Sequence, residues 1–175
     1  EAFYNRKNLT GMLVLPVSLR ELGDRAFMRC AALGGLDLSN CRLTEIGVEV
    51  FKESLSSLST SVDKLEVPSG VTFIAASAFE DTGFREVDLP ATLAMIGRRA
   101  FYNCRKLSIV TSRRTGVVPV LDAEYPAETF GGVDITGQRT LKVNPQAKKA
   151  YQADPLWIKA TPEAGGNIVW TIEDI

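Results

Sequence analysis

The sequence predicts an α/β fold of stacked repeats, with parallel strands on one face and short helical or irregular turns opposite. Three observations predict it. An Ala-Phe pair recurs along the chain, a short apolar segment closed by a small residue precedes it, and a segment of alternating apolar and polar residues follows it.

The pair stands at Ala2-Phe3, Ala26-Phe27, Ala78-Phe79 and Ala100-Phe101, with the variants Val50-Phe51 and Thr129-Phe130. Successive phenylalanines lie 24, 24, 28, 22 and 29 residues apart, and six of the chain's eight fall on the series, which chance does not produce. The octets GDRAFMRC at 23–30 and GRRAFYNC at 97–104 show how much travels with the pair, and shared architecture explains them better than shared catalytic chemistry.

Ahead of each pair come LREL at 19–22, LTEI at 43–46, VTFI at 71–74 and LAMI at 93–96, closed by Gly23, Gly47, Ala75 and Gly97. After it come LVLP at 13–16, LDLS at 36–39, LEVP at 65–68 and VDLP at 87–90. Their alternation reads as a half-buried strand, and a proline directly after it ends the strand because it has no N–H for a ladder.

One such unit cannot bury its apolar face alone, whereas parallel neighbours stacked at about 4.7–4.9 Å build a continuous core. Each large inward side chain then contributes roughly 1.5–3 kcal/mol. The alanine before each phenylalanine is small because the turn packs closely on the next coil. Gly23, Gly47 and Gly97 are expected to permit a backbone turn that a side chain resists.

The chain opens on EAFYN, partway through a unit, so the sequence reads as a fragment whose first coil exposes an unpaired edge and apolar side chains. At the other end, Asn144 suits an N-cap and Pro145 the first helical position, with Ala147, Ala150 and Tyr151 on one face. Asp154-Pro155 stops that helix, and Trp157 is expected to pack over the last coil as a structural lid. Residues 111–139 read as a distorted last coil, and a Pro/Gly linker leads to the strand-like IVWTI at 168–172. The expected division is a repeat domain over 1–139, N-terminally truncated with a degenerate last coil, and a C-terminal cap over 140–175.

Composition limits the function. Hydrophobic residues make up 45% and charged residues 23% of the 175, ordinary for a folded protein. The net charge of −1 supplies no field for nucleic acid, and the short basic pairs Arg113–Arg114 and Lys148–Lys149 read as solvated surface. No apolar run approaches the ~18–20 residues of a membrane span, and no signal peptide is visible, an absence that says little in a chain opening mid-repeat. With no histidine, the commonest general base and metal ligand are both missing. The three cysteines, Cys30, Cys41 and Cys104, form neither a disulfide framework nor a zinc spacing. Cys30 and Cys104 share one repeat position three coils apart, near ~14 Å by strand spacing, against the ~7 Å that a disulfide allows.

The pattern Gly-x-x-Ala-Phe-x-x-Cys, then Leu, Val-x-Leu-Pro and Leu-x-x-Ile, clearest in FREVDLPATLAMIGRRAFYNC at 84–104, resembles the BspA-like (Treponema pallidum type) bacterial leucine-rich repeats. The resemblance covers residues 1 to 110, and TLKVNPQAKKAYQADPLW at 140–157 is similar to the family's closing strand, short helix and tryptophan. Ser39 in place of proline, Val50 in place of alanine and the long stretch 52–63 depart from the pattern. The resemblance implies a right-handed leucine-rich-repeat solenoid, in a secreted or surface-attached bacterial protein that binds other molecules.

No nucleophile elbow, phosphate loop or metal-spaced cluster is present, and no cofactor is expected. Carboxylates such as Glu86 and Asp88 alternate along an open face, which supplies pairs without a pocket to desolvate them. The expected function is a non-catalytic module recognising a protein or glycan partner through the outward positions Gly35, Asp37, Lys64, Glu66, Glu86, Asp88, Ile109 and Thr111. These are mostly acidic and favour a basic or polar partner. The alternatives are that they serve solubility alone, or that the chain is a passive spacer displaying another domain.

Overall fold

A computed structural model describes residues 1–56, 58–59, 61–122, 124–125, 128–132, 137–158 and 168–175. In chain order the elements are β1 (Gly11–Val14), β2 (Leu33–Asp37), β3 (Glu45–Ile46), β4 (Lys64–Glu66), β5 (Phe73–Ile74), β6 (Glu86–Leu89), β7 (Met95–Ile96), β8 (Ile109–Ser112), β9 (Val120–Leu121), β10 (Gly137–Val143), α1 (Lys148–Ala153), α2 (Pro155–Ile158) and β11 (Ile168–Asp174).

All strand pairs are parallel, in sheets ordered β1-β2, β11-β10-β8-β6-β4 and β3-β5-β7-β9. The alternating segments after each Ala-Phe pair form the first two sheets, as their period of two requires. The apolar segments at 43–46, 71–74 and 93–96, together with Val120–Leu121, form the third, a sheet of two-residue strands too short to be read from the sequence, whereas the segment at 19–22 forms no strand. One expectation is corrected: the strand at 36–39 does not continue the long sheet. β2 pairs with β1 instead, and the long stretch 52–63 separates it in sequence from β4.

Between the sheets runs a column of phenyl rings. Phe3, Phe27, Phe51, Phe79, Phe101 and Phe130 stack in succession, centroids 4.9, 5.6, 5.5, 5.3 and 5.4 Å apart, with planes within 9° of parallel. The column ends against Trp157 and Trp170, each about 5.5 Å from Phe130. Phe51, Phe79 and Phe101 are wholly buried, while Phe3, at the open end, is 46% exposed.

The Ala-Phe turns are held by an unusual backbone. Two residues before and two after each of Phe27, Phe51, Phe79 and Phe101, a non-glycine residue takes a left-handed conformation: Arg25 and Arg29, Glu49 and Glu53, Ser77 and Asp81, Arg99 and Asn103, with φ between 53° and 64°. Each such residue costs about 1–2 kcal/mol. The alternation turns every second N–H along the stack, so Arg25, Phe27 and Arg29 donate to the carbonyls of Val48, Val50 and Lys52 at 3.0, 2.9 and 2.8 Å. The later turns repeat this from Glu49, Phe51 and Glu53 to Ala76, Ala78 and Glu80, and from Ser77, Phe79 and Asp81 to Arg98, Ala100 and Tyr102.

Gly23, Gly47 and Gly97 are therefore not the turn-formers expected, since none has a positive φ. Gly97 is required for closeness instead: a Cβ there would meet Ala76 N at 2.8 Å and Ala75 C at 2.9 Å.

All three thiols are free and buried. Cys30 Sγ donates to Phe3 O and Cys104 Sγ to Phe79 O, both at 3.1 Å, so the recurring thiol serves the phenylalanine carbonyl of the neighbouring, earlier rung. Ser54 does the same for Phe27 O at 2.5 Å. Cys41 is 8% exposed, with Sγ 3.6 Å from Leu15 O.

The C-terminal helix starts later than expected. Asn144 accepts the Gln146 N–H at 3.0 Å and closes a turn, and α1 begins after Ala147 without a side-chain cap. Asp154 ends α1 in an extended conformation, and its Oδ1 then accepts from Leu156 and Trp157 N–H at the start of α2. Trp157 Nε1 donates to Pro119 O and Tyr151 Oη to Ser112 Oγ. The Pro/Gly linker expected around 161–166 and parts of the distorted coil lie outside the described residues.

Candidate binding face

Alternation along β4, β6, β8 and β10 turns Leu65, Val87, Val110 and Leu141 inward as one cross-strand row. Outward stand two further rows, Lys64–Glu86–Ile109–Thr140 and Glu66–Asp88–Thr111–Lys142, continued on β11 by Thr171 and Glu173. Six of the candidate residues lie in these rows. The other two of the eight, Gly35 and Asp37, sit on β2, outside the five-stranded sheet.

The face is less acidic than its composition suggests. Arg113 follows β8, and its N–H donates to Leu89 O at 3.1 Å, which sets its side chain beside β6. The guanidinium folds over Asp88, Nε to Oδ1 at 2.8 Å and Nη2 to Oδ2 at 2.7 Å. Lys64 Nζ lies 2.7 Å from Glu66 Oε1 and 3.7 Å from Asp88 Oδ2. Asp88 is thus covered, at 8% exposure, and doubly countered. The expectation of a mainly acidic surface here is corrected, because a guanidinium read as solvated surface neutralises it. The hydrogen bond to Glu66 raises the Lys64 ammonium pKa, and the bond to Asp88 raises that of Arg113.

Asp37 is fixed locally. Its Oδ1 accepts from Ser39 N at 2.9 Å and Ser39 Oγ at 2.6 Å, which holds the carboxyl below its ordinary range. A hollow of about 290 Å³ still brings it together with Lys64 and Glu66, over Leu36 and Leu38. A second hollow, of about 310 Å³, lies between Glu66, Ser69, Asp88, Pro90 and Arg113. Glu66 borders both. Glu86, Ile109 and Thr111 lie half-buried farther along the rows and line neither hollow.

Sequence reasoning missed Arg113 and Lys142. The strand register of 140–143 could have found Lys142, but no local signal ties Arg113 to a carboxylate 25 positions away. It also missed the outward row of the short-stranded sheet, Glu45–Phe73–Met95–Val120, where Met95 and Val120 are exposed. Among the described residues no group of three or more metal-ligating side chains comes together, and no helix is long and apolar enough to cross a membrane.

Residues 57–116 match the family described as a BspA type leucine rich repeat region (6 copies). Over that third of the chain the sequence is similar to BspA-type leucine-rich repeats. No curated protein and no solved structure gives a match. The matched stretch holds β4 to β8, so Lys64, Glu66, Glu86, Asp88, Ile109, Thr111 and Arg113 all stand within it, and Asp37 before it. Leucine-rich repeats of this type are generally non-catalytic and commonly mediate protein interactions.

Proposed function

We propose that the chain is a non-catalytic binding module of a bacterial surface or secreted protein, recognising a protein or glycan partner through the outward face of the five-stranded sheet. Its architecture is a right-handed solenoid over 1–139, closed by a capping segment over 140–175. The parallel strands, the unbroken ring column and the burial of Tyr151 and Trp157 support this architecture.

The observation that carries the functional reading is the paired hollow around Glu66. Its walls are charged groups already held in place by Arg113, Lys64 and Ser39, so little side-chain freedom is lost when a partner arrives. A near-neutral surface of carboxylate, ammonium, guanidinium and hydroxyl groups suits polar ligands, and Glu66, exposed and bonded only to Lys64 among the described residues, offers an acceptor to them.

The test is a screen of the purified chain and its Glu66→Lys variant on glycan and extracellular-protein arrays. A ligand whose affinity falls at least about tenfold, or 1.4 kcal/mol, in a variant of unchanged stability supports the reading. Ligands indifferent to Glu66, Lys64 and Arg113 alike would favour the spacer.

A further inference from the structure

Consecutive coils are joined on three sides: by the longer strands, by the two-residue strands and by the turn ladder. From residue 41 onward all three run unbroken, through β4-β6-β8, through β3-β5-β7-β9 and through the turns of Phe51, Phe79 and Phe101. Between residues 1–40 and the rest of the stack, only the turn ladder does. β2 pairs with β1 and not with β4, and the segment at 19–22 forms no strand against β3. Both sheets are thus interrupted at one level.

The strand edges that face each other there are unbonded. Alternate residues of a parallel ladder bond to opposite neighbours. Val67 N–H donates to Asp88 O and Arg85 N–H to Asp63 O, so on β4 the backbone groups of Lys64 and Glu66 turn toward β2. Leu15 N–H donates to Asp37 O, so on β2 those of Leu36 turn toward β4. Among the described residues no backbone hydrogen bond joins the two strands. The 28-residue step from Phe51 to Phe79, against 24 before it, and the pair Gly34-Gly35, which weakens β2 as a pairing strand, accompany the break. On the short-stranded side one bond crosses, from Arg42 N–H to Leu19 O at 3.0 Å. The ladder side is fastened by the N–H groups of Arg25, Phe27 and Arg29 and by the ion pairs Arg25–Glu49 at 2.6 Å and Arg29–Glu53 at 3.0 Å.

We propose that this level is a seam, along which residues 1–40 open from the rest of the stack as one unit. The seam is internal: the residues that face across it lie at 19–39 and 42–66. The hollow that Asp37 shares with Lys64 and Glu66 spans it, with Asp37 on one side and the other two across from it. Opening dismantles that hollow, so a ligand seated in it favours the closed stack, and binding and closure become linked. This linkage rests on the sheet-face reading, whereas the seam itself does not.

Amide hydrogen exchange on the unmodified chain, without any ligand, tests the seam. Leu15 and Phe27, on the near side, are expected to share one protection, at least about tenfold below that of Phe51, Val67 and Phe79 on the far side. The drop should fall between Phe27 and Phe51, with no comparable drop between Phe51 and Phe79. A staple then checks the cause. A Cβ on Gly35 would lie 3.5 Å from Val62 Cβ, a separation that a disulfide spans, so Gly35→Cys combined with Val62→Cys closes the seam on oxidation. The oxidised staple should bring Leu15 and Phe27 to within about threefold of Phe51, and reduction of the same protein should return them to the lower value. Protection that declines evenly from rung to rung, or that is equal on both sides, would overturn the proposal. So would a closed staple that leaves Leu15 and Phe27 unchanged. If the disulfide does not form, the presence or absence of the drop in the unmodified chain decides alone. Loss or retention of ligand binding in Glu66→Lys bears on the sheet-face reading and leaves this result untouched.

Discussion

Arg113 straddles Asp88 with two hydrogen bonds of 2.8 and 2.7 Å, joining residues 25 positions apart across adjacent strands. A charge-assisted pair of this kind contributes about 1.5–3 kcal/mol, to be discounted because the guanidinium is more than half exposed. Asp88→Ala should therefore cost about 1–2 kcal/mol in urea unfolding, whereas Glu66→Lys, on an exposed side chain, should stay within about 0.5 kcal/mol. Equal costs at the two positions would show that Asp88 is ordinary surface. For binding studies Glu66 is the informative residue, because changes at Asp88 disturb the face itself.

The ring column makes a graded prediction. Phe79 is fully buried between Phe51 and Phe101, and Phe79→Ala should cost about 3–5 kcal/mol. Phe3 is half-exposed with one ring neighbour, so Phe3→Ala should cost under about 1.5 kcal/mol, the low end for burying such a side chain. Denaturant midpoints of the two variants decide it, and a Phe79 cost as small as that of Phe3 would contradict a shared interior column.

That column was legible in the sequence because one large residue at one repeat position must meet its own kind once the repeats stack. The long sheet was legible for a similar reason: segments such as Leu65-Glu66-Val67 show the period of two directly. Strands of two residues, like Phe73-Ile74, are too short to show any period, so the second sheet was not. The left-handed residues were hidden because Arg25, Glu49, Ser77 and Arg99 carry no glycine signal; their strain is offset by ladder bonds that exist only after stacking. On the candidate face, outward positions could be read but not the charge they present, because Asp88 is covered by Arg113, which follows a neighbouring strand. Asn144 misled because a side chain suited to capping a helix serves equally to close a turn.

Two glycines at the same repeat position should behave oppositely. Gly97→Ala pushes a methyl to within 2.8 and 2.9 Å of the Ala76 and Ala75 backbone, which cannot swing aside, and should destabilise by about 1–3 kcal/mol. Around Gly23 nothing lies within 4 Å of the added carbon and φ is not positive, so Gly23→Ala should be neutral or stabilise by up to about 1 kcal/mol through the unfolded chain. Thermal unfolding of the pair tests this. A loss at Gly23 matching that at Gly97 would mean the position demands glycine for its conformation after all.

The Cys104 thiol gives the fold a dependence on alkaline pH. It is buried beside Thr82 Oγ1 at 3.3 Å and Phe79 O at 3.1 Å, and burial pushes its pKa up to about 11. In the unfolded chain a thiol ionises near about 8.5. The native state thus keeps its proton to higher pH than the unfolded state does. Its contribution to stability is complete below about pH 8.5 and is lost progressively as pH rises through about 11. Tyr151, pushed up to about 12, and Arg139, held down to about 10 by burial, also titrate in alkaline solution and are present in both the parent and Cys104→Ala. The difference in unfolding free energy between those two proteins reports the thiol together with its attraction to the Arg139 guanidinium. It should shift against the parent by roughly 3 kcal/mol between about pH 8 and pH 11. A difference that stays flat across this range would mean that the thiol ionises as freely in the fold as out of it, and that the space beneath Phe79 is open to water.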